Sequence, residues 1–146
     1  MYDRLLVPTD GSQATGETLE HALEMARRYE AAVHALAVVD ERQFQQLDGQ
    51  QRYETQAALR QNAESAVERI EDRTSEIDRP VTTTVRQGHP ATQITAYAEE
   101  TEIDVIVIGT HGQTGNEHVT PVGSVTQRVV ETTTTPVFVV HIGAED

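Results

Sequence analysis

Short apolar runs alternate with longer amphipathic stretches along the whole chain, five of the first kind and four of the second. These strand-like segments are residues 5–8, 33–39, 81–85, 103–108 and 137–142, and the third of them alternates between the two faces of a half-buried strand. Regular alternation of this kind is typical of strands joined by right-handed helical crossovers, and it predicts an α/β fold with a doubly wound parallel sheet and helices on both faces. The pattern continues over residues 1–146 without a linker-like break, so we expect a single domain.

Between the runs, apolar residues recur at spacings of three and four, the period of a helix that buries one face. Ser12 is expected to cap the first helix, and Pro8 to end the ladder of the first strand, since proline has no N–H to donate. The second helix should begin near Tyr53 and stop at Pro80, and Pro90 suits the first position of the third. The predicted core-facing stripes are Leu19, Ala22, Leu23 and Ala26; Leu59, Ala63, Ala66 and Ile70; Ile94, Tyr97 and Ala98; and Val125, Val129 and Val130.

Composition excludes several kinds of chemistry. The chain has no Cys, which excludes disulfides, thiolate catalysis and cysteine-bound metal sites. All 11 basic residues are Arg, so a P-loop lysine and Schiff-base chemistry are excluded as well. The 24 acidic residues leave a formal charge of −13, and we therefore expect no nucleic-acid partner. Together with the abundant Thr and Gln, the acid excess predicts a halophilic protein whose surface repulsion is screened in concentrated salt.

The first residues run directly into a strand-like segment, with no basic and apolar leader of the secretory type. No apolar run approaches the roughly 20 residues that a membrane helix needs. We therefore predict a cytoplasmic protein with no membrane partner. The histidines are scattered outside any carboxylate–histidine cluster of known ligand spacing, so no dedicated metal site is expected.

Two strand exits carry residues typical of a ligand site. The first strand is followed by Pro8-Thr9-Asp10-Gly11-Ser12, and Ile108 of the fourth by Gly109-Thr110-His111-Gly112, with Gly123-Ser124 opening the next helix. Glycines let backbone N–H groups approach an anion, and a helix N-terminus adds partial positive charge. Ligands of open α/β sheets bind at the carboxyl ends of the strands, where the winding reverses. Alternatively, these glycines only shape a tight loop.

These segments resemble the universal stress protein family over nearly all 146 residues. The resemblance implies a Rossmann-like five-stranded sheet in the order 3-2-1-4-5 and, in one branch of the family, bound ATP or AMP. The segments that match are Val7-Pro8-Thr9-Asp10-Gly11-Ser12, Val38-Val39-Asp40, Ile103-Asp104-Val105-Ile106-Val107-Ile108-Gly109-Thr110-His111-Gly112, Gly123-Ser124-Val125-Thr126 and Thr135-Pro136-Val137-Phe138-Val139-Val140.

The resemblance also implies roles for individual residues. Asp10 would contact the ribose, and the backbone near Val38 the adenine. The phosphates would be surrounded by the glycine loop, residues 109–123, and the start of the helix after it, through Gly109, Gly112, Gly123, Ser124 and Val125. We expect His111 to pack or hydrogen-bond beside the phosphates. Mg²⁺ could enter on the nucleotide phosphates, because it prefers phosphate and water oxygens. The predicted nucleotide-binding residues are Pro8, Thr9, Asp10, Val38, Ile108, Gly109, His111, Gly112, Gly123, Ser124 and Val125.

The spacing of the glycine loop departs from the family pattern. Ten residues, beginning at Gln113 and ending at Val122, separate Gly112 from Gly123, where the family has nine. The extra residue can bulge outward, or it can move the start of the last helix away from the phosphates. Three functions therefore stay open: an adenine-nucleotide-binding stress sensor acting as a homodimer, a slow ATPase or nucleotidyl transferase, and a dimeric scaffold that has lost nucleotide binding.

The last strand predicts the homodimer. In the order 3-2-1-4-5 it lies at the edge of the sheet, and five of the six residues from Val137 to Ile142 are apolar. Natural proteins rarely leave such an edge open to solvent. Antiparallel pairing with a second copy about a two-fold axis would satisfy the backbone and bury the side chains. The resemblance implies the same contact, since universal stress proteins commonly dimerise in this way.

Overall fold

Five parallel strands form one sheet in the order β3-β2-β1-β4-β5. The computed structural model describes residues 1–10, 14–110 and 123–142. The strands are β1 (Arg4–Thr9), β2 (Ala32–Asp40), β3 (Val81–Gly88), β4 (Val105–Gly109) and β5 (Val137–Val140). The predicted α/β class is confirmed, including the Rossmann-like parallel sheet and its strand order.

Helices cover both faces of the sheet. They are α1 (Ala14–Tyr29), α2 (Gly49–Glu76), α3 (Pro90–Glu100) and α4 (Ser124–Thr132), and a single 3-10 turn, Glu41–Gln43, lies between β2 and α2. Successive residues of a strand point to opposite faces, so Leu5 and Val7 pack with α1 and α2 while Leu6 packs with α3 and α4. Two hydrophobic cores result, one on each side of the sheet.

The interior strand β4 is buried on both faces, as predicted. Ile106 and Val107 have no exposed surface, which a parallel strand between two helical layers requires. The predicted stripes of α1 and α3 are buried as well, with Pro90 at the first helical turn. In α4 the stripe is narrower than expected, because Val129 is buried whereas Val130, one position further around the helix, is 49% exposed.

Several predicted boundaries are wrong, among them those of β1, α2 and β5. β1 continues through Pro8 to Thr9, and Pro8 pairs in register with Leu36 of β2, so Pro8 does not end that ladder. The ladder to β4 stops earlier, at Leu6.

α2 runs from Gly49 to Glu76, since polar residues of good helix propensity extend it beyond its apolar stripe. β5 ends at Val140, so the predicted segment to Ile142 is longer than the strand. The predicted cap Ser12 lies outside the described residues.

Within the described parts of the chain, no helix combines the length and the apolar character needed to cross a membrane.

Candidate functional site

A crevice lies where β1 and β4 part at their carboxyl ends. The two strands pair at Leu5 with Val105 and at Leu6 with Ile106, although β1 continues to Thr9 and β4 to Gly109. From β1 the chain passes to α1 on one face, and from β4 to α4 on the other. This is the point at which the winding of the sheet reverses, where open α/β sheets bind their ligands.

The end of β2 forms a second wall of the crevice. Its last pair with β1 joins Ala37 to Thr9, whereas its pairing with β3 continues to Asp40. From Val38 onward, no residue of β1 stands opposite β2. The backbone N–H and C=O groups of this part of β2 that face β1 can therefore hydrogen-bond a ligand. Buried backbone groups require a partner of this kind.

A cavity of about 230 Å³ occupies the crevice. Its walls come from the ends of β1, β2 and β4, from α2, and from the beginnings of α3 and α4. Two of the predicted site residues, His111 and Gly112, lie outside the described residues. The other nine all line this cavity: Pro8, Thr9, Asp10, Val38, Ile108, Gly109, Gly123, Ser124 and Val125.

Several other residues that line the cavity were not predicted from the sequence. Val39, Asp40 and Thr126 belong to quoted motifs. Ile94 lies on the predicted stripe of α3, and the apolar period of α2 marks Leu59 and Ala63 as inward-facing. The remaining residues lie in β2, in the 3-10 turn and in the helices α1, α2 and α3, where only the packing of these elements brings them to the cavity. These additional lining residues are Thr18, Leu36, Ala37, Val39, Asp40, Arg42, Gln43, Leu59, Asn62, Ala63, Pro90, Ile94 and Thr126.

Gly109 packs too closely against α1 for any side chain. A Cβ at this position would lie 2.7 Å from Thr18 Oγ1 and 3.2 Å from Ile142 Cγ1. The carbonyl of Gly109 accepts a hydrogen bond of 2.6 Å from Thr126 Oγ1. Glycine thus lets the end of β4 sit between α1 and α4, and the threonine of α4 fixes the strand to the helix that follows the loop.

Thr110 joins the two ends of the glycine loop. Its N–H donates to Val140 O at 2.9 Å, and its carbonyl accepts from the Gly123 N–H at 2.6 Å. Its hydroxyl oxygen accepts from the Ile142 N–H at 2.9 Å. The Gly123 N–H is therefore already used. Within the described start of α4, the N–H groups of Ser124, Val125 and Thr126 point toward the crevice side of the helix end, because the first N–H groups of a helix have no partner within it and the first bond of this helix is donated by Gln127 to Gly123 O.

Asp40 and Arg42 form a two-point ion pair at the end of β2. Arg42 Nε donates to Oδ1 at 2.9 Å and Nη2 donates to Oδ2 at 2.7 Å, and the Arg42 backbone N–H donates to Oδ1 at 3.1 Å. Burial by itself raises the pKa of Asp40, but the hydrogen bonds and charge of Arg42 outweigh it, so the pKa lies below its usual range. The carboxylate is ionised at neutral pH and holds the guanidinium at the cavity wall.

No group of three His, Cys, Asp or Glu side chains within the described ranges is arranged to hold a metal ion. The polar character of the crevice comes instead from Asp10, from the Asp40–Arg42 pair, from threonine hydroxyls and from backbone N–H groups. Such a set suits a neutral or anionic organic ligand with hydroxyl groups.

Comparison with known sequences gives the family. The profile described as the universal stress protein family matches residues 1–141. Universal stress protein MJ0531 of Methanocaldococcus jannaschii is 33% identical over 141 residues, which cover 96% of this chain and 82% of that protein.

Solved structures agree with this family assignment. Protein MJ0577 of Methanocaldococcus jannaschii is similar with a TM-score of 0.87 at 28% identity, with 99% of each chain covered. Universal stress protein UspA of Lactobacillus plantarum is similar with a TM-score of 0.79 at 29% identity, covering 95% of this chain and 97% of its own. On the family match, the sequence identity and the shared fold, this chain belongs to the universal stress protein family.

Proposed function

We propose that this chain is a stress-response module that binds an adenine nucleotide, ATP or AMP, and acts as a homodimer. One observation carries the proposal: nine residues expected around a nucleotide line a single cavity at the reversal point of the sheet. Family membership supports the same class of function.

The β2 side of the cavity suits the base. Val38, Leu59 and Ile94 provide apolar surface there, and the edge of β2 beyond Ala37 offers backbone donors and acceptors with no β1 residue opposite. Mostly apolar walls with a few polar groups at fixed positions are typical of small-molecule sites. An adenine ring stacked in this part of the cavity would be oriented by the backbone near Val38.

The opposite side suits the ribose and the first phosphate. Asp10 follows β1 and lines the cavity, and an ionised carboxylate can accept hydrogen bonds from both ribose hydroxyls. The N–H groups of Ser124 and Val125 begin α4, where backbone donors and the helix dipole favour a phosphate. Mg²⁺ would be held by phosphate and water oxygens, the ligands that this ion prefers.

Two distant proteins of this fold have been solved with adenine nucleotides, one with cAMP and one, from Archaeoglobus fulgidus, with dAMP. They are 19% and 20% identical to this chain, so that likeness concerns the fold alone. The choice of ligand class for this chain rests on its own cavity.

We favour a regulatory role over catalysis. Among the described residues that line the cavity, Arg42 is the one cation, and the chain contains no Lys. Phosphoryl transfer depends on positive groups and metal ions around the transferred phosphate, so any ATP hydrolysis should be very slow. Phosphate release above that of a Gly112→Val variant would instead establish the slow ATPase.

Nucleotide extraction tests the proposal directly. Acid treatment of freshly purified protein should release a compound with adenine absorbance and the mass of AMP or ATP. Calorimetry should then show Asp10→Ala binding AMP roughly tenfold more weakly or worse, since a hydrogen bond to a charged group contributes about 1.5–3 kcal/mol. Asp72→Ala, which removes the same charge from an exposed position of α2, should bind like the wild type. No adenine compound and no binding would leave the dimeric scaffold as the function.

A further inference from the structure

Asn62 interrupts the buried face of α2 where that helix reaches the cavity. Ala66 and Ile70, one and two turns further along α2, are each 1% exposed, and residues four apart lie above one another on the same helix face. Asn62 is exposed and lines the cavity. Asparagine favours caps and turns over helix interiors, so neither packing nor helix propensity explains an amide at this position.

The Asn62 side chain keeps its hydrogen-bonding capacity for a ligand. Asp40 and Arg42 pair with each other at the cavity wall, and Thr126 Oγ1 donates to Gly109 O. By contrast, no residue in the described part of the chain hydrogen-bonds the Asn62 side chain. A primary amide carries an acceptor oxygen and a donor NH₂ side by side, so it can offer both to one ligand.

α2 holds Asn62 beside the part of β2 that is expected to contact the base. Val39 of β2 and Ala63 of α2 belong to one hydrophobic core, and both line the cavity. Beyond Ala37, β2 has no β1 residue opposite it. A planar base in this part of the crevice can therefore meet backbone groups of β2 along one edge and the amide of α2 along another. A site on a packed helix is also more precise than one on a loop.

We propose that Asn62 is a specificity-determining residue that hydrogen-bonds the Hoogsteen edge of adenine and so selects adenine over guanine nucleotides. The inference rests on the proposed function, in which the backbone near Val38 contacts the other edge of the base. Along the Hoogsteen edge adenine has an amino donor beside the N7 acceptor, whereas guanine has two acceptors, O6 and N7. A side-chain amide matches the adenine pattern with two hydrogen bonds. With guanine, the amide oxygen faces an acceptor whichever way the amide is turned, so one hydrogen bond is lost.

Calorimetry with AMP, GMP and 7-deaza-AMP tests this role, because 7-deaza-AMP differs from AMP in having a carbon in place of the N7 nitrogen. Wild type should bind AMP about tenfold or more tightly than either of the other two, as expected when one of two base hydrogen bonds is lost. Asn62→Leu, of similar size but without the amide, should bind AMP about tenfold more weakly or worse, and should bind AMP and 7-deaza-AMP equally. Its preference for AMP over GMP should narrow.

Gln61→Leu is the matched control, because Gln61 carries an exposed amide on α2 that does not line the cavity. It should bind all three nucleotides like the wild type. Without ligand, Asn62→Leu should melt at or above the wild-type temperature, since leucine has the higher helix propensity. Weaker binding by this variant would then not reflect unfolding.

Wild type that binds 7-deaza-AMP as tightly as AMP would overturn the role of Asn62 and leave the nucleotide site standing. An Asn62→Leu variant that still prefers AMP to 7-deaza-AMP by the wild-type factor would overturn it as well. In that case the same measurement on Gln43→Leu decides whether the amide on the 3-10 turn, which also lines the cavity, makes the contact. Binding of none of the three nucleotides would overturn the proposed function together with this inference.

Discussion

His34 on β2 and Tyr97 on α3 are joined across the sheet–helix interface, with 2.7 Å between His34 Nδ1 and the Tyr97 hydroxyl oxygen. Thr84 Oγ1 donates to the same oxygen at 3.4 Å. Burial first, and then the charge of Arg4, lower the pKa of His34. The neutral form of the ring is therefore favoured at pH 7.

Acid should destabilise the fold through His34. In the unfolded chain its pKa is about 6.5, and in the folded protein it is lower, so the unfolded state binds the proton first. The stabilising contribution is complete above about pH 6.5 and is lost as the pH falls through the folded pKa. Between pH 7.5 and 5.5, the melting temperature should fall more for wild type than for His34→Gln. Each kcal/mol lost from the free energy of unfolding lowers the melting temperature by about 2–4 °C. His141→Gln, an exposed histidine, should follow the wild type. Parallel curves for all three proteins would contradict this assignment.

Gly109→Ala should destabilise the protein by about 1–3 kcal/mol, since its Cβ would overlap Thr18 Oγ1 and the core would be overpacked. Gly16→Ala is the matched control. It lies in α1, where a Cβ would meet no neighbouring side chain within 4 Å, so it should be neutral or stabilise by roughly 0.5–1 kcal/mol. Urea unfolding measures both. Equal free energies of unfolding for the two variants would show that the contact with Thr18 does not destabilise Gly109→Ala.

The homodimer predicted through the last strand can be tested at its edge. Phe138 and Val139 of β5 are 42% and 40% exposed, unusual for large apolar residues on an open edge. Wild type should sediment at molar salt with a mass near twice 16.1 kDa. Replacing both residues by Glu should give the monomer mass, because paired copies would bring like charges together. Tyr53→Glu, at a 70% exposed position of α2, should leave the dimer intact. A monomeric wild type would disprove this interface.

Salt should stabilise the chain if its charge of −13 reflects a halophilic surface. The Debye length is about 30 Å at 0.01 M and about 3 Å at 1 M, so repulsion among the acidic residues is screened in concentrated salt. Ion pairs at the surface, such as Arg86 with Glu100, also weaken as the salt concentration rises. Each of them contributes only about 0–1 kcal/mol to the free energy of unfolding. The melting temperature should therefore rise from dilute buffer to molar KCl. A flat profile would remove the halophilic interpretation.

Much of the fold could be predicted because strand and helix periods are local properties. The run that contains Ile106 and Val107 has no polar alternation, which only a strand buried on both faces explains, and the spacing from Leu19 to Ala26 fixes one face of α1. Boundaries were less predictable. Pro8 lacks an N–H yet stays within β1, since its pairing with β2 persists after the pairing with β4 has ended.

The sequence by itself determined the sheet, its two helical layers and the strand exits at Asp10 and Gly109, because each depends on the order and period of neighbouring residues. Only the tertiary structure decided what stands opposite those exits. Asn62 reaches the cavity because α2 packs across β2, and Arg42 reaches it because β2 extends past β1 and the 3-10 turn folds the arginine back onto Asp40. These contacts join residues through packing and strand length, which no local spacing encodes.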